Sequence, residues 1–164
     1  MTGKLRNMAS IYLRRGDELL FLYRVGSRVI DDSYTAASGG HFEPDELNDA
    51  RACALREMNE ELGLTEDDIA NLSLRYITLR LKNGEVRHNY YFFADLISCD
   101  KPLSSNEGNL KWFSLEALEK SLPEMPFSAG FAMKHWLEIG RYNDSLYVGV
   151  STGTDVIFTE LREN

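Results

Sequence analysis

Cysteine is almost absent, with two residues, Cys53 and Cys99, in a chain of 164. They lie too far apart for a CxxC pair or a zinc knuckle, so a disulfide framework is excluded and a reduced, cytoplasmic chain is expected. Long hydrophobic runs are missing as well. The longest one near the N-terminus, Leu19 to Tyr23, is far short of a signal-peptide core or a membrane span, and no membrane partner is expected. Positive charge is in deficit: 18 Lys and Arg stand against 26 Asp and Glu, a net charge of −8. That balance argues against coating a nucleic-acid polymer or an anionic membrane. It leaves open a phosphorylated small molecule, which local basic residues or a metal can hold. The three histidines show no metal-ligand spacing, Gly149 and Gly153 are not followed by Gly-Lys-Ser/Thr, and no D-x-[DN]-x-[DN]-G loop occurs, which removes a P-loop and an EF-hand.

Apolar residues at 43% and charged residues at 27% are ordinary globular usage, and the length fits one domain over residues 1–164. Met8 to Leu13 and Glu18 to Val25 read as strands joined across Arg15-Gly16-Asp17, followed by a polar loop over Gly26 to Ser33 and a short strand over Tyr34 to Ser38. Asn48 to Leu62 reads as a helix with Asn48 as N-cap, Asp49 in the first turn and Gly63 as its stop. Leu74 to Lys82 and Glu85 to Ile97 flank Asn83-Gly84, a type I′ hairpin signal. Both faces of Tyr90 to Ala94 are apolar, so that strand is expected inside a sheet covered on both sides. A strand over Lys111 to Phe113 follows, then helices over Leu115 to Leu122 and Ser128 to Ile139 separated by Pro123 and Pro126. Tyr147 to Val150 and Val156 to Leu161 read as a closing hairpin. The mixed order predicts an α+β or α/β class with a mixed sheet.

The helix carries the chemistry. At about 100° per residue, Glu57, Glu60 and Glu61 share an arc of about 100°, with Leu55, Met58 and Leu62 opposite. A solvated face is the plain reading. Against it, Glu57 and Glu61 form an i, i+4 like-charge pair in the last turns, where the helix dipole disfavours negative charge. Ala50, Cys53 and Ala54 on the same side leave room for another segment or a ligand. A divalent cation would turn the repulsion into attraction, and hard carboxylate oxygens suit Mg²⁺ or Mn²⁺.

The stretch GGHFEPDELNDARACALREMNEELGL, residues 39–64, resembles the Nudix box, G-x5-E-x7-R-E-U-x-E-E-x-G-U with U aliphatic. Gly40, Glu46, Arg56, Glu57, Met58, Glu60, Glu61, Gly63 and Leu64 fill its positions in order. Nine residues separate Glu46 from Arg56 where the family has seven. Counting back from Arg56 puts Asn48 where the glutamate would be expected, which leaves the role of Glu46 open. Further along, Glu107-Gly108 ahead of Trp112 is similar to a loop of MutT-type members that supplies a metal ligand or base. Arg24 resembles their substrate-contacting arginine. Pro126-Phe127-Ser128 resembles their base-contacting stretch, with Ser128 where those carry asparagine.

The resemblance implies a Nudix-type α/β/α sandwich with a mixed central sheet, carrying a C-terminal helix and hairpin extension over about 128–164. It implies a Mg²⁺- or Mn²⁺-dependent hydrolase that cleaves the diphosphate linkage of a nucleoside diphosphate derivative. The favoured substrate is a nucleoside triphosphate, an oxidised one included, yielding monophosphate and pyrophosphate. ADP-ribose, a nucleotide sugar or a dinucleotide polyphosphate is the alternative, and a non-catalytic nucleotide sensor is an alternative of another class. By the same resemblance Glu57, Glu60, Glu61 and Glu107, with a carbonyl of Gly39 or Gly40, hold the metal. Arg56 orients a carboxylate, Glu107 or a box glutamate is the base, and Arg24, Phe127 and Ser128 contact substrate. The expected partner is a small-molecule nucleotide, and a homodimer is compatible. His88 and His135 are expected to be structural and His41 a minor substrate candidate. Tyr23 and Tyr34 are further stacking candidates, and Arg75, Arg80, Lys82 and Arg87 are expected on a solvated hairpin surface, with a phosphate-facing patch as the minority reading.

Overall fold

The computed structural model describes residues 3–25, 32–97 and 102–163. Cys99 and most of the loop expected from Gly26 lie outside them. The strands are β1 (Lys4–Arg15), β2 (Glu18–Arg24), β3 (Ser33–Ala36), β4 (Ser38–His41), β5 (Ile69–Lys82), β6 (Glu85–Leu96), β7 (Gly108–Ser114), β8 (Leu146–Ser151) and β9 (Val156–Leu161). The helices are α1 (Ala50–Leu62), α2 (Leu115–Lys120) and α3 (Phe127–Glu138). The strands form one mixed sheet in the order β3-β2-β1-β6-β5-β8-β9, with β4 paired to β1 and β7 to β2. The pairs β1–β6 and β5–β8 are parallel and the others antiparallel.

The central β5–β6 hairpin closes through Asn83 and Gly84, both at positive φ (54° and 77°), the backbone that an Asn-Gly type I′ turn supplies at low steric cost. In β6, successive residues feed opposite cores. Phe92 and Ala94 pack under α1 with Ile11, Leu13, Met58 and Leu62. Tyr91 and Phe93 pack with Tyr12, Tyr76, Met133 and Trp136 on the α2–α3 side. The sheet is therefore sandwiched between helices, and the two-faced strand is accounted for by alternation of side chains across the pleat. The first hairpin is narrower than expected. Only Leu13, Arg14 and Arg15 of β1 pair with β2, because the preceding residues pair with β4 on one side and β6 on the other. That fork seats the Gly39-Gly40 strand beside the acidic helix.

Helix ends differ from the sequence reading by a residue or two. The N-cap of α1 is Asp49, whose carboxylate accepts from the Ala52 N–H at 2.9 Å, and not Asn48; Gly63 is the left-handed C-cap. α2 ends at Lys120, and α3 begins at Phe127 and ends at Glu138. Arg75 is a larger departure. It is buried, with no part in a solvated hairpin surface. Its guanidinium donates to the carbonyls of Gly140 (2.8 Å), Asn143 (2.5 Å) and Ser145 (3.1 Å), satisfying the turn that leads from α3 into β8.

Candidate active site

Helix α1 lies across β1 and β4 because its inner stripe is small and apolar. Cys53, Ala54, Met58 and Leu62 are all buried. This brings the glycine strand against the carboxylates. The Gly39 N–H donates to Glu61 Oε2 at 3.1 Å, and a Cβ built on Gly40 would run into the Glu57 carboxylate, so no larger residue fits at Gly40 without moving Glu57. The solvated-face reading fails for two of the three box carboxylates. The side chains of Glu57 and Glu61 are 13% and 9% exposed, whereas Glu60 is largely in solvent.

Two arginines organise the acidic groups. Arg56 engages Glu46 with two bonds, Nε to Oε1 at 2.7 Å and Nη2 to Oε2 at 3.0 Å. It also donates to Glu57 (2.8 Å), Glu60 (3.0 Å) and the His41 carbonyl (3.1 Å). The bidentate hydrogen bonding from Arg56 lowers the Glu46 carboxyl to about 2, and in return the guanidinium is raised, first by Glu46. Glu46, and not Asn48, is the residue that pairs with Arg56, and the extra length is taken up by exposed Leu47 and Asn48 before the helix cap.

Arg24, at the end of β2, lies between two other carboxylates, with Nη1 to Glu107 Oε2 at 2.7 Å and Nη2 to Glu61 Oε1 at 3.6 Å. Its Nε is buried with no hydrogen-bond partner among the described residues. Burial raises Glu61 to about 7, against the opposing pull of the Gly39 N–H and Arg24 and with added repulsion from Glu107 and Glu57. Three segments distant in sequence, the end of β2, the loop before β7 and the last turn of α1, thus meet at Arg24. Among the described residues no three acidic, histidine or cysteine side chains stand at metal-ligand geometry as a set; the arginines hold the carboxylates. The Cys53 thiol beneath them is pushed up to about 12 by burial, a structural rather than nucleophilic group.

Phe127 and Ser128 lie apart from this carboxylate cluster, at the start of α3. Ser128 is buried, and Phe127 is half-buried, with the Arg80 guanidinium 4.3 Å over its ring and Phe131 at 5.0 Å. A basic row, for which the sequence offered a phosphate-facing patch as the minority reading, runs between His41 and Phe127. Arg6, Arg87 and Arg80 are aligned in register on β1, β6 and β5. Arg6 Nε bonds His41 Nε2 at 2.5 Å at the end of β4, and Arg80 reaches Phe127. Such a row was hidden in the sequence because Arg6 lies some 80 residues from its partners and only the parallel β1–β6 pairing joins them. His41 is lowered by burial and by Arg6 and Arg87, consistent with a neutral acceptor for Arg6. His135 bonds the Tyr76 hydroxyl at 2.8 Å and is structural, as expected. Tyr23 and Tyr34 pack against each other with ring centroids 4.8 Å apart and planes tilted by 45°. No helix among the described residues is long and apolar enough to cross a membrane.

Comparison with known proteins bears on the same region. The family profile of the NUDIX domain matches residues 4–134. No curated protein matches in sequence. Among solved structures, the chain is similar to a MutT protein from Methanosarcina mazei (TM-score 0.67, 19% identity, 87% of this chain and 99% of that one). It is also similar to a MutT protein from Bacillus halodurans (0.62, 21%, 94% and 97%). A third likeness is to an Ap4A hydrolase from C. elegans (0.61, 19%, 84% and 99%).

Proposed function

The chain belongs to the NUDIX family, whose members hydrolyse nucleoside diphosphate derivatives, and on that premise we propose that it is a divalent-cation-dependent nucleoside triphosphate pyrophosphohydrolase. Water would attack phosphorus, the P–O–P anhydride bond would break, and monophosphate and pyrophosphate would leave; oxidised triphosphates are included in the substrate class. The observation that carries this reading is the convergence of Glu61 and Glu107 on Arg24 beside the glycine strand.

The donor set fits a hard cation: carboxylate oxygens only, two of the groups nearly buried, with no sulfur or imidazole among them. Glu57, Glu60 and Glu61 would hold Mg²⁺ or Mn²⁺, with Glu107 and a carbonyl of Gly39 or Gly40 as further donors. When bound, the cation supplies charge neutralisation on the phosphoryl oxygens and a water of lowered pKa. Arg56 keeps Glu57 and Glu60 in place, so little ordering is left for the moment of binding. Arg24 is the less fully bonded of the two arginines. Released from Glu61, it would turn to a phosphoryl oxygen and leave Glu107 to accept the proton of the attacking water. The basic row supports an anionic substrate lying from the carboxylates toward Phe127, whose half-exposed ring would meet the base.

The test is a panel of nucleoside triphosphates, oxidised triphosphates, ADP-ribose, a nucleotide sugar and a dinucleotide polyphosphate with Mg²⁺, followed by ³¹P NMR. Pyrophosphate and monophosphate from a triphosphate are expected. Orthophosphate alone, or turnover confined to ADP-ribose or the dinucleotide, overturns the substrate assignment; absence of turnover on every member with Mg²⁺ and with Mn²⁺ favours the sensor.

A further inference from the structure

The face of the sheet that carries α1 is covered only in part. The helix and Phe42, whose ring packs against Tyr90 at 5.3 Å, close it over β1 and β6. Beyond Tyr90 the same face continues across β5, β8 and β9. The register fixes which side chains it presents: Leu79 beside Val150 beside Ile157, with Leu146 beside Leu161. On the other flank Leu81 and Leu5 stand on either side of Val86. Leu5, Leu81, Val150, Ile157 and Leu161 each leave between 50% and 62% of their surface in solvent. Charged neighbours on these strands, Arg80, Arg87 and Glu160, alternate to the opposite face. The interior of the patch therefore holds no charged side chain; its polar members are Asn7, His88 and Thr159.

From this we infer that two copies of the chain pack face to face through the β5–β8–β9 surface, forming a two-fold dimer. The first argument is area. The five most exposed side chains present on the order of 500 Å² of apolar surface, at the top of what monomers ordinarily show. With half-buried Ile77 and Val148 between them, the patch approaches the roughly 800 Å² per partner of a stable interface. The second is self-complementarity. A pleated surface of Leu, Ile and Val side chains fits another of its kind at about 10 Å separation, and a two-fold axis lets each row meet its own copy. The third is electrostatic. A partner of another kind would find no charge here to select it, and a chain of net charge −8 can meet itself only where no carboxylate is buried. Edge-to-edge pairing of β9 is the competing geometry, and that edge is guarded. Glu160 is bound to Ser145 and Arg162, and charges along a free strand oppose its extension.

Sedimentation velocity on the full chain from about 2 to 200 µM is the test, with a Val150→Lys/Ile157→Lys double variant and a Glu160→Gln/Arg162→Gln edge variant. Both variants change residues outside the carboxylate site, and Mg²⁺-dependent turnover with circular dichroism reports on their folding. Wild type is expected to sediment as twice the 18.7 kDa chain with a Kd below about 20 µM. The face variant is expected to bind itself at least about 100-fold more weakly, and the edge variant to match wild type. A wild-type monomer at every concentration overturns the inference. So does a dimer that survives in the face variant or tightens in the edge variant, where the guarding charges are gone.

Discussion

Arg56 and Arg24 sit on opposite flanks of the same acidic helix and do opposite things. Arg56 spends its donors on Glu46, Glu57, Glu60 and a backbone carbonyl, all at or below 3.1 Å. Among the described residues Arg24 makes one close ion pair, to Glu107, and a looser one to Glu61 at 3.6 Å, and keeps a buried Nε without a partner. The first cluster is closed and serves as a frame. The second is incompletely satisfied and is the part a ligand can rearrange, because an unpaired buried donor and a crowded carboxylate both gain from a new partner.

The largest effect should come from breaking the responsive side. Glu61→Gln keeps size and removes the charge, and turnover should fall about 10³-fold or more, while the metal-free melting temperature stays at or above that of wild type because a buried carboxyl is gone. Steady-state rates and a melting curve on one preparation check both. Breaking the frame should instead show first in stability. Arg56→Ala leaves Glu46 nearly buried and unpaired and should cost roughly 3 kcal/mol; Arg56→Lys should recover little of it, since an ammonium cannot make the bidentate contact. Denaturant unfolding decides, and equal stability of Arg56→Ala and wild type would dissolve the distinction between the two clusters.

Much of the frame was legible in the sequence, and the reason is that it is local. Capping at Gly63, the Asn83-Gly84 turn and the alternation in β6 depend on neighbours within a few residues. What was not legible depends on pairing across the chain. The parallel β1–β6 register that lines up Arg6 with Arg87, and the backbone turn that swallows Arg75, leave no local pattern. Glu46 illustrates the boundary. Its spacing from Arg56 was wrong by two residues for the box, yet the short turn at Pro44–Glu46 and the exposed Leu47 and Asn48 absorb the excess, so three-dimensional position is kept where sequence position is not.

Acid and metal sharpen the same contrast with smaller effects. The Glu46 carboxyl, lowered to about 2 from an ordinary 4.5, contributes stability that is complete above about pH 4.5 and is lost as pH falls toward 2. Glu61 runs the other way. Raised to about 7, it makes the metal-free fold bind an extra proton between about pH 4.5 and 7, so its contribution declines as pH rises through that window. Mg²⁺ should therefore raise the melting temperature more at pH 8 than at pH 5.5, where protons compete for the same oxygens. A Mg²⁺ shift independent of pH would place the ion elsewhere. The smallest effect belongs to Phe127→Ala, which removes a half-buried ring and should raise KM about fivefold with kcat nearly unchanged. An unchanged KM would reject the ring as a base contact.

The carboxylates beside Arg24 are the proposed cation site, and Mn²⁺ binding followed by electron paramagnetic resonance tests that without any substrate. Titration of Mn²⁺ into wild type at pH 8 should remove the free-ion signal as sites fill, and a Glu57→Gln/Glu61→Gln double variant should leave that signal in solution. Arg24→Ala, which takes a positive charge away from Glu61, should bind Mn²⁺ at least as tightly as wild type. Equal binding by wild type and the double-glutamine variant would contradict the assignment.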